Sequence, residues 1–307
     1  MADISRADAL ALLAEQDIKE IVKPGIAGSA ALDTFRTIPM SKGTARMPVL
    51  SALPTAGWVS ESATDPAGVK PTSKVEWTNK ELIAEEIAVI VPIHENILED
   101  TEYDIWGEVK PLVRAEFGRL LDLAVFFGVN KPATWLDPAL IPGAIAAGNT
   151  VAAETGIDLA EDFNLAFAEI EDDGFDVNVA YTGRFLRAKL RGLRNKDGDP
   201  IYLDALRSDS STASIYGQDL YYVGNRVWDR DVATALVGDR SKAVLGLRQD
   251  VQVKFLDQAT VGGINLAERD MVALRFKFRV AFATAFSTAG GGSSDYPFAV
   301  ITPKVGG

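Results

Sequence analysis

The sequence predicts an α+β fold, and three features carry that prediction. Two extended segments flank a turn-rich tip between residues 31 and 93, an apolar helical stripe runs over 104–128, and a period-2 run covers 272–283. At roughly 150 residues per domain, the 307 residues suit about two lobes. With 47% hydrophobic and 24% charged residues, the chain has material for a sizeable core.

The elements follow in chain order. Ser5-Arg6-Ala7-Asp8 reads as a capping box. Leu10, Leu13, Ala14 and Ile18 then recur near helical spacing until Pro24-Gly25 ends the pattern, predicting a short amphipathic helix that needs a surface to dock on. From Ala31 to Pro54 the chain reads as short extended pieces, and Pro54 to Pro71 is rich in turn formers and carries Trp58 and Val59. Lys74 to Thr78 and Ile83 to Ile93 read as strands, with Ile87, Val89, Val91 and Ile93 on one face. The resulting hairpin has a tip poor in core formers and is expected to project, with edges open to another chain.

Over Asp104 to Gly128, Val109, Leu112, Val113, Phe117, Leu120, Leu121, Ala124 and Phe127 form one apolar stripe, and Arg114, Arg119 and Asp122 fall off it. Pro111 predicts a kink or a helix start nearby. A helix at Leu159 to Glu171, a strand at Val177 to Tyr181, a basic helix at Phe185 to Arg194 and a polar loop over 195–217 follow. Strands at Leu220 to Val223 and Val251 to Phe255 complete a mixed lobe. In the long run near the end, Val272, Leu274, Phe276, Phe278, Val280 and Phe282 share one face, while Arg275, Lys277 and Arg279 lie on the other. Gly290-Gly291-Gly292 breaks it, and Tyr296 to Thr302 is expected to return beside it as a C-terminal hairpin.

Composition excludes several kinds of chemistry. Without cysteine there are no disulfides, thiolate metal sites or thiol nucleophiles. A formal charge of −12 disfavours whole-surface attraction to nucleic acid and leaves room only for a local basic stripe. The segment Met1 to Val22 lacks a secretory signal pattern, and the longest uncharged run, Pro138 to Ala153, is broken by Pro142, Gly143 and Gly148, so no membrane span is expected. His94 is the single histidine and has no second histidine at zinc-helix spacing and no nucleophile elbow to serve. The acidic pairs Glu85 with Glu86 and Glu99 with Asp100, and the run Glu171 to Asp173, read as solvated charge at element ends. Residues 195–200 fail as a calcium loop, because Pro200 stands where that loop turns on glycine. No catalytic, cofactor or metal site is expected, and the chain is read as a non-enzyme.

Several stretches carry a family resemblance. Ala56-Gly57-Trp58-Val59-Ser60-Glu61, Lys80-Glu81-Leu82-Ile83-Ala84 with Val89 to Pro92, and Ile93 to Asp100 occur in that order. Val237-Gly238-Asp239 with Gly246-Leu247-Arg248, and then Asp270 to Phe286, complete the series. In this order the chain resembles the Hong Kong 97-type major capsid proteins of tailed bacteriophages over essentially its whole length. The resemblance implies an N-terminal arm over 1–32 and an extended loop over 54–78. It implies a peripheral domain over 33–53, 79–131 and 275–307, with a spine helix near 104–128, and an axial domain over 132–274. It also implies hexamers and pentamers that close an icosahedral shell around double-stranded DNA without sequence-specific contact. The subunit would be made in the host bacterial cytoplasm and reside in the virion. A portal, a possible decoration protein and a separate scaffolding protein are the implied partners, the last because the chain enters its arm within the first 32 residues. A cargo-enclosing bacterial nanocompartment shell shares the fold and is the alternative. The expected intersubunit contacts are Trp58, Val59, Glu61, Lys70, Lys74 and Trp77 on the loop, and Arg275, Lys277 and Arg279 on the long strand. Lys70, Lys74 and Lys80 lie where some relatives crosslink, but no matching acceptor is identifiable, and the crosslinking chemistry is not carried over to this sequence.

Overall fold

The structure is a computed structural model that describes residues 28–52, 58–59, 73, 76–100, 105–156, 158–194, 197, 213–224, 226–286 and 295–304. The expected N-terminal amphipathic helix, most of the expected loop tip, most of residues 195–212 and the triple glycine lie outside the described residues.

The chain begins with α1 (Ala30–Thr34), β1 (Arg36–Pro39) and β2 (Thr44–Ala52), then β3 (Glu76–Ile83), β4 (Glu85–His94) and α2 (Glu95–Asp100). The spine helix α3 (Ile105–Asp122) runs through Pro111 and ends in a π-helical turn over Leu123–Phe127. Gly128, at φ 75°, stops it by donating to Ala124 O, while Val129 N reaches Leu123 O. Next come α4 (Leu140–Ala147), β5 (Thr150–Ala152), α5 (Leu159–Asp172), β6 (Val179–Gly183) and α6 (Leu186–Arg191). The strands β7 (Ala213–Ile215), β8 (Gln218–Val223), β9 (Ala235–Gly238) and β10 (Ala243–Leu256) lead through the small β11 (Thr260–Val261) and β12 (Ile264–Asn265) to β13 (Met271–Thr284) and β14 (Phe298–Thr302).

Two main sheets organise these elements. A four-stranded sheet has the order β1-β10-β13-β4, and a six-stranded sheet has the order β5-β14-β9-β6-β8-β7. The expected C-terminal hairpin does not form. Both edges of β13 are already taken, by β10 and by β4, while β14 pairs with β9 and β5 in the other sheet. A physical reason lies in β14 itself: Phe298 to Ile301 are all buried, which requires a sheet covered on both faces. The last strand therefore groups with strands of the 132–274 region, whereas β10, expected there, pairs with β1 and β13.

The core lies between the two sheets. Phe276, Phe278, Val280 and Phe282 from β13 meet Val113, Phe117 and Leu121 from the spine, and Phe117 stacks on Phe278 with centroids 6.5 Å apart. Tyr181, Leu236 and Val300 face the same cluster from the six-stranded sheet. Alternate residues of that sheet, Ala180, Val237, Ala299 and Ile301, point the opposite way and bury α5 and α6 through Phe163, Ile170, Leu186 and Leu190. Gly246 has no side chain because Met40 Sδ occupies the place where a Cβ would stand, 2.4 Å away, and this lets β1 lie against β10.

Candidate intersubunit surface

The β2–β3 hairpin is a separate two-stranded ribbon, in register from Thr44 opposite Ile83 to Ala52 opposite Glu76. Among the described residues its base is held most firmly. Leu82 and Ala84 pack with Met40, Ala281 and Ala283 in a small cluster under the ribbon. Beside it, Lys80 Nζ donates to Asp137 Oδ1 at 2.7 Å and to Thr284 Oγ1 at 3.2 Å. The other carboxylate oxygen of Asp137 accepts from Thr284 N at 2.7 Å and from Thr284 Oγ1 at 2.9 Å. Trp135 Nε1 donates to Ile83 O at 3.1 Å, and Thr134 Oγ1 to Glu85 at 2.7 Å. The charge-assisted bonds of Lys80 and Asp137 tie the root of the ribbon to the end of β13. Sequence reading missed the clamp because its three members lie 57 to 204 residues apart.

Beyond the root the ribbon exposes apolar surface. Trp77 is 68% exposed on β3, Trp58 is fully exposed, and Val59 is about half exposed. Exposed Trp77 on the ribbon, and exposed Trp58 and Val59 in the segment that joins its strands, are unfavourable for an isolated subunit in water. Glu61, Lys70 and Lys74 lie outside the described residues.

The basic face of β13 divides. Arg275 is exposed, opposite Ile90 on β4 and Lys254 on β10. Lys277 pairs with Glu86 on β4. Arg279 turns inward, where Nη2 donates to Ala84 O at 3.3 Å and Nε is buried with no partner among the described residues. The structure therefore brings Lys277 and Arg279 to the root of the ribbon and leaves only Arg275 facing outward. Asp173, from the acidic run, accepts from Asn149 and from Tyr296 N, while Glu86 and Glu85 are engaged as above. His94 ends β4 in an exposed position opposite Met271.

A second anchor holds the start of the described chain to the spine. Asp122, expected off the apolar stripe, is buried. Its carboxylate accepts from Ser29 Oγ at 2.6 Å and from the backbone amides of Ala30 and Ala31, each at 3.0 Å. The expectation failed because a short helix, α1, brings its free N-terminal amides to that point of the spine, and a carboxylate satisfies them. Burial pushes the Asp122 carboxyl up to about 6, against the lowering effect of these hydrogen bonds. Next to it, Thr34 Oγ1 donates to Ala30 O at 2.6 Å, so the Tyr181 hydroxyl is the donor in the 2.7 Å bond between Tyr181 and Thr34.

Two sheets around a spine helix, with a ribbon projecting from the edge, form the architecture of a Hong Kong 97-type capsid subunit. The chain belongs to the phage capsid family as a major capsid protein, the family model matching residues 11–289. It is similar to a solved structure from Microbacterium phage Oxtober96 at 71% identity and a TM-score of 0.88, over 98% of this chain and 100% of that one. A structure from Mycobacterium phage Bobi matches at 39% identity and a TM-score of 0.85, over 99% of this chain and 100% of that one. The major capsid protein of Staphylococcus phage 80alpha is 25% identical over 259 residues, 81% of this chain and 72% of that protein. These matches do not favour the nanocompartment alternative. Family members are structural proteins whose copies associate into the virion shell.

Proposed function

We propose that this subunit forms the hexamers and pentamers of an icosahedral phage head through the β2–β3 ribbon, whose exposed face a neighbouring copy covers. The observation that carries the proposal is a contrast: the ribbon root is locked by Lys80, Asp137 and Thr284, whereas Trp77 further out on β3 and Trp58 in the connecting segment stand in solvent. Locking the root pre-organises the ribbon, which reduces the ordering cost of association. Trp58, Val59, Glu61, Lys70, Lys74 and Trp77 are the proposed contacts on the ribbon and its tip. Arg275 is the proposed contact on β13, with Lys277 and Arg279 holding the ribbon root. In domain terms, the four-stranded sheet and spine form the peripheral domain, and the six-stranded sheet, β14 included, forms the axial domain. Residues 1–32 form the arm and 54–78 the extended loop.

The shell encloses double-stranded DNA without reading its sequence, is assembled in the host cytoplasm with a separate scaffolding protein, and receives a portal and a possible decoration protein. We read the subunit as a structural protein and not an enzyme, and its acidic pair Glu85–Glu86 serves Thr134 and Lys277 as structural partners. Negative-stain microscopy of the expressed chain tests the proposal. Wild type, with its scaffolding partner, is expected to form closed shells, and a chain lacking residues 57–74 to remain an unassembled subunit that melts cooperatively. Normal shells from the deleted chain would overturn the ribbon's role.

A further inference from the structure

The axial region segregates charge to a degree the overall −12 conceals. No Lys or Arg occurs between Lys131 and Arg184, a stretch that ends in the acidic run Glu169, Glu171, Asp172, Asp173 and Asp176. Directly after it, Arg184, Arg187, Lys189, Arg191 and Arg194 occur within eleven residues that contain no acid. All five of these cations are exposed on and around α6, and none makes an ion pair among the described residues. Among the described residues, Arg191 and Arg194 bond only to backbone carbonyls of their own segment, and Arg187 stacks on Tyr222, 4.1 Å from the ring centroid. On the other side, Glu169, Glu171, Asp172 and Asp176 are exposed at the C-terminal end of α5, the negative end of the helix dipole, and no cation stands in its last turn.

The two patches do not neutralise each other within one subunit. Lys189 lies within electrostatic reach of Glu154, which sits beside the N-terminal end of α5 through the bond from Glu154 N to Asp162. The acidic run begins seven residues further along that helix and lies on the order of 10 Å or more down its axis. One subunit thus presents a positive surface and a negative surface at separate places. Two unlike, complementary patches on one molecule are the requirement for a heterologous contact, which closes into a ring when the rotation permits.

We propose that the cationic face of α6 docks on the acidic end of α5 of a second copy, as an axial contact between neighbours in a capsomer. The inference rests on the shell-subunit reading and adds a contact distinct from the ribbon. Electrostatic complementarity of this kind selects the partner and the register, and like charges facing each other across an interface weaken association by orders of magnitude.

A charge swap in the full-length chain tests it. The basic-side variant carries Lys189→Glu, Arg191→Glu and Arg194→Glu, which spares the stacked Arg187. The acidic-side variant carries Glu169→Lys, Glu171→Lys and Asp172→Lys. Thermal melts of unassembled subunits confirm folding, because all six side chains are exposed. Each variant alone is expected to lower the assembled fraction by about tenfold or more in sedimentation and negative stain, and the six-fold combination to restore it. Wild-type assembly of either single-sided variant, or failure of the combination to restore shells, overturns the pairing. Normal shells that retain less DNA after the basic-side change would assign α6 to nucleic acid and also overturn it. A wild-type chain that never assembles would overturn the shell reading and this contact together, whereas wild-type shells with insensitive variants overturn this contact alone.

Discussion

The six-stranded sheet and the β2–β3 ribbon use the same alternating strand chemistry and end in opposite environments. Every strand at the centre of the sheet is covered on both faces, by the spine and α4 on one side and by α5 and α6 on the other. Among its described residues the ribbon is packed at its root and buries Val49 further out, while Trp77 on β3 and Trp58 beyond it stand in water. The difference teaches where stability and assembly reside. Burial inside one chain makes the sheet a source of subunit stability, and lack of burial makes the ribbon dependent on another chain. A mutation in the first region is expected to alter melting, and one in the second to alter association.

The largest stability effect is expected at Phe126, which is fully buried and meets Phe35, Tyr181 and Trp228 at centroid distances of 5.7, 5.1 and 6.1 Å. It joins α1, the π-turn of the spine and the six-stranded sheet. Phe126→Ala is expected to destabilise the subunit by about 3–5 kcal/mol, as a large core aromatic lost to a cavity. Chemical denaturation of the unassembled chain measures this, and a loss below about 1 kcal/mol would show that the two layers are not coupled through this ring.

A smaller effect with a pH signature is expected at Asp122. Asp122→Ala leaves the amides of Ala30 and Ala31 without their acceptor and is expected to cost about 1–3 kcal/mol. The carboxyl titrates near 6 in the folded chain against an ordinary value of 3.8, so the native state binds more protons between these two values. Its contribution to stability is therefore largest below pH 3.8 and falls as the pH rises through 6. Asp122→Asn keeps one acceptor and cannot ionise. Melts of both chains at pH 4.5 and pH 7 are expected to show the Asn variant gaining on wild type at the higher pH, and an unchanged gap would place the titration elsewhere.

Much of this was legible in the sequence, for physical reasons specific to each element. The stripe from Val109 to Phe127 and the alternation from Val272 to Phe282 are periodic over long runs, and both elements stand where the periodicity puts them. The helix α4 was hidden by Pro142 and Gly143. The proline sits in the first turn, where its missing N–H costs nothing, and Gly143 makes room for the Tyr296 ring. Only Val251 to Phe255 of β10 read as a strand, because its register shifts near Gln249 break the alternation that marks the rest. Strand identity was readable, whereas strand partnership was not: the partners of β14 lie around residues 150 and 236, and no local pattern encodes that pairing. In the site, Trp58 could be singled out by its place in the turn-rich tip, but the clamp at Lys80 and the Asp122 anchor depend on contacts that only the fold creates.

The smallest effect on the subunit is expected at Trp77, and it separates the two regions most sharply. The side chain stands opposite Leu50 in the ribbon and is 68% exposed, so Trp77→Ala removes little buried surface within the chain. Subunit stability is expected to change by no more than about 0.5 kcal/mol. If a neighbouring copy buries the indole, the same truncation removes an interface anchor worth about 2 kcal/mol or more, roughly a 30-fold loss of affinity per contact. Because every copy in a shell makes the contact, the loss compounds, and the protein concentration needed for assembly rises steeply while the melting curve stays in place. Sedimentation across a concentration series, alongside melts of the same preparations, reads both quantities. A lowered melt with unchanged assembly would reverse the assignment and make the ribbon part of the subunit's own fold.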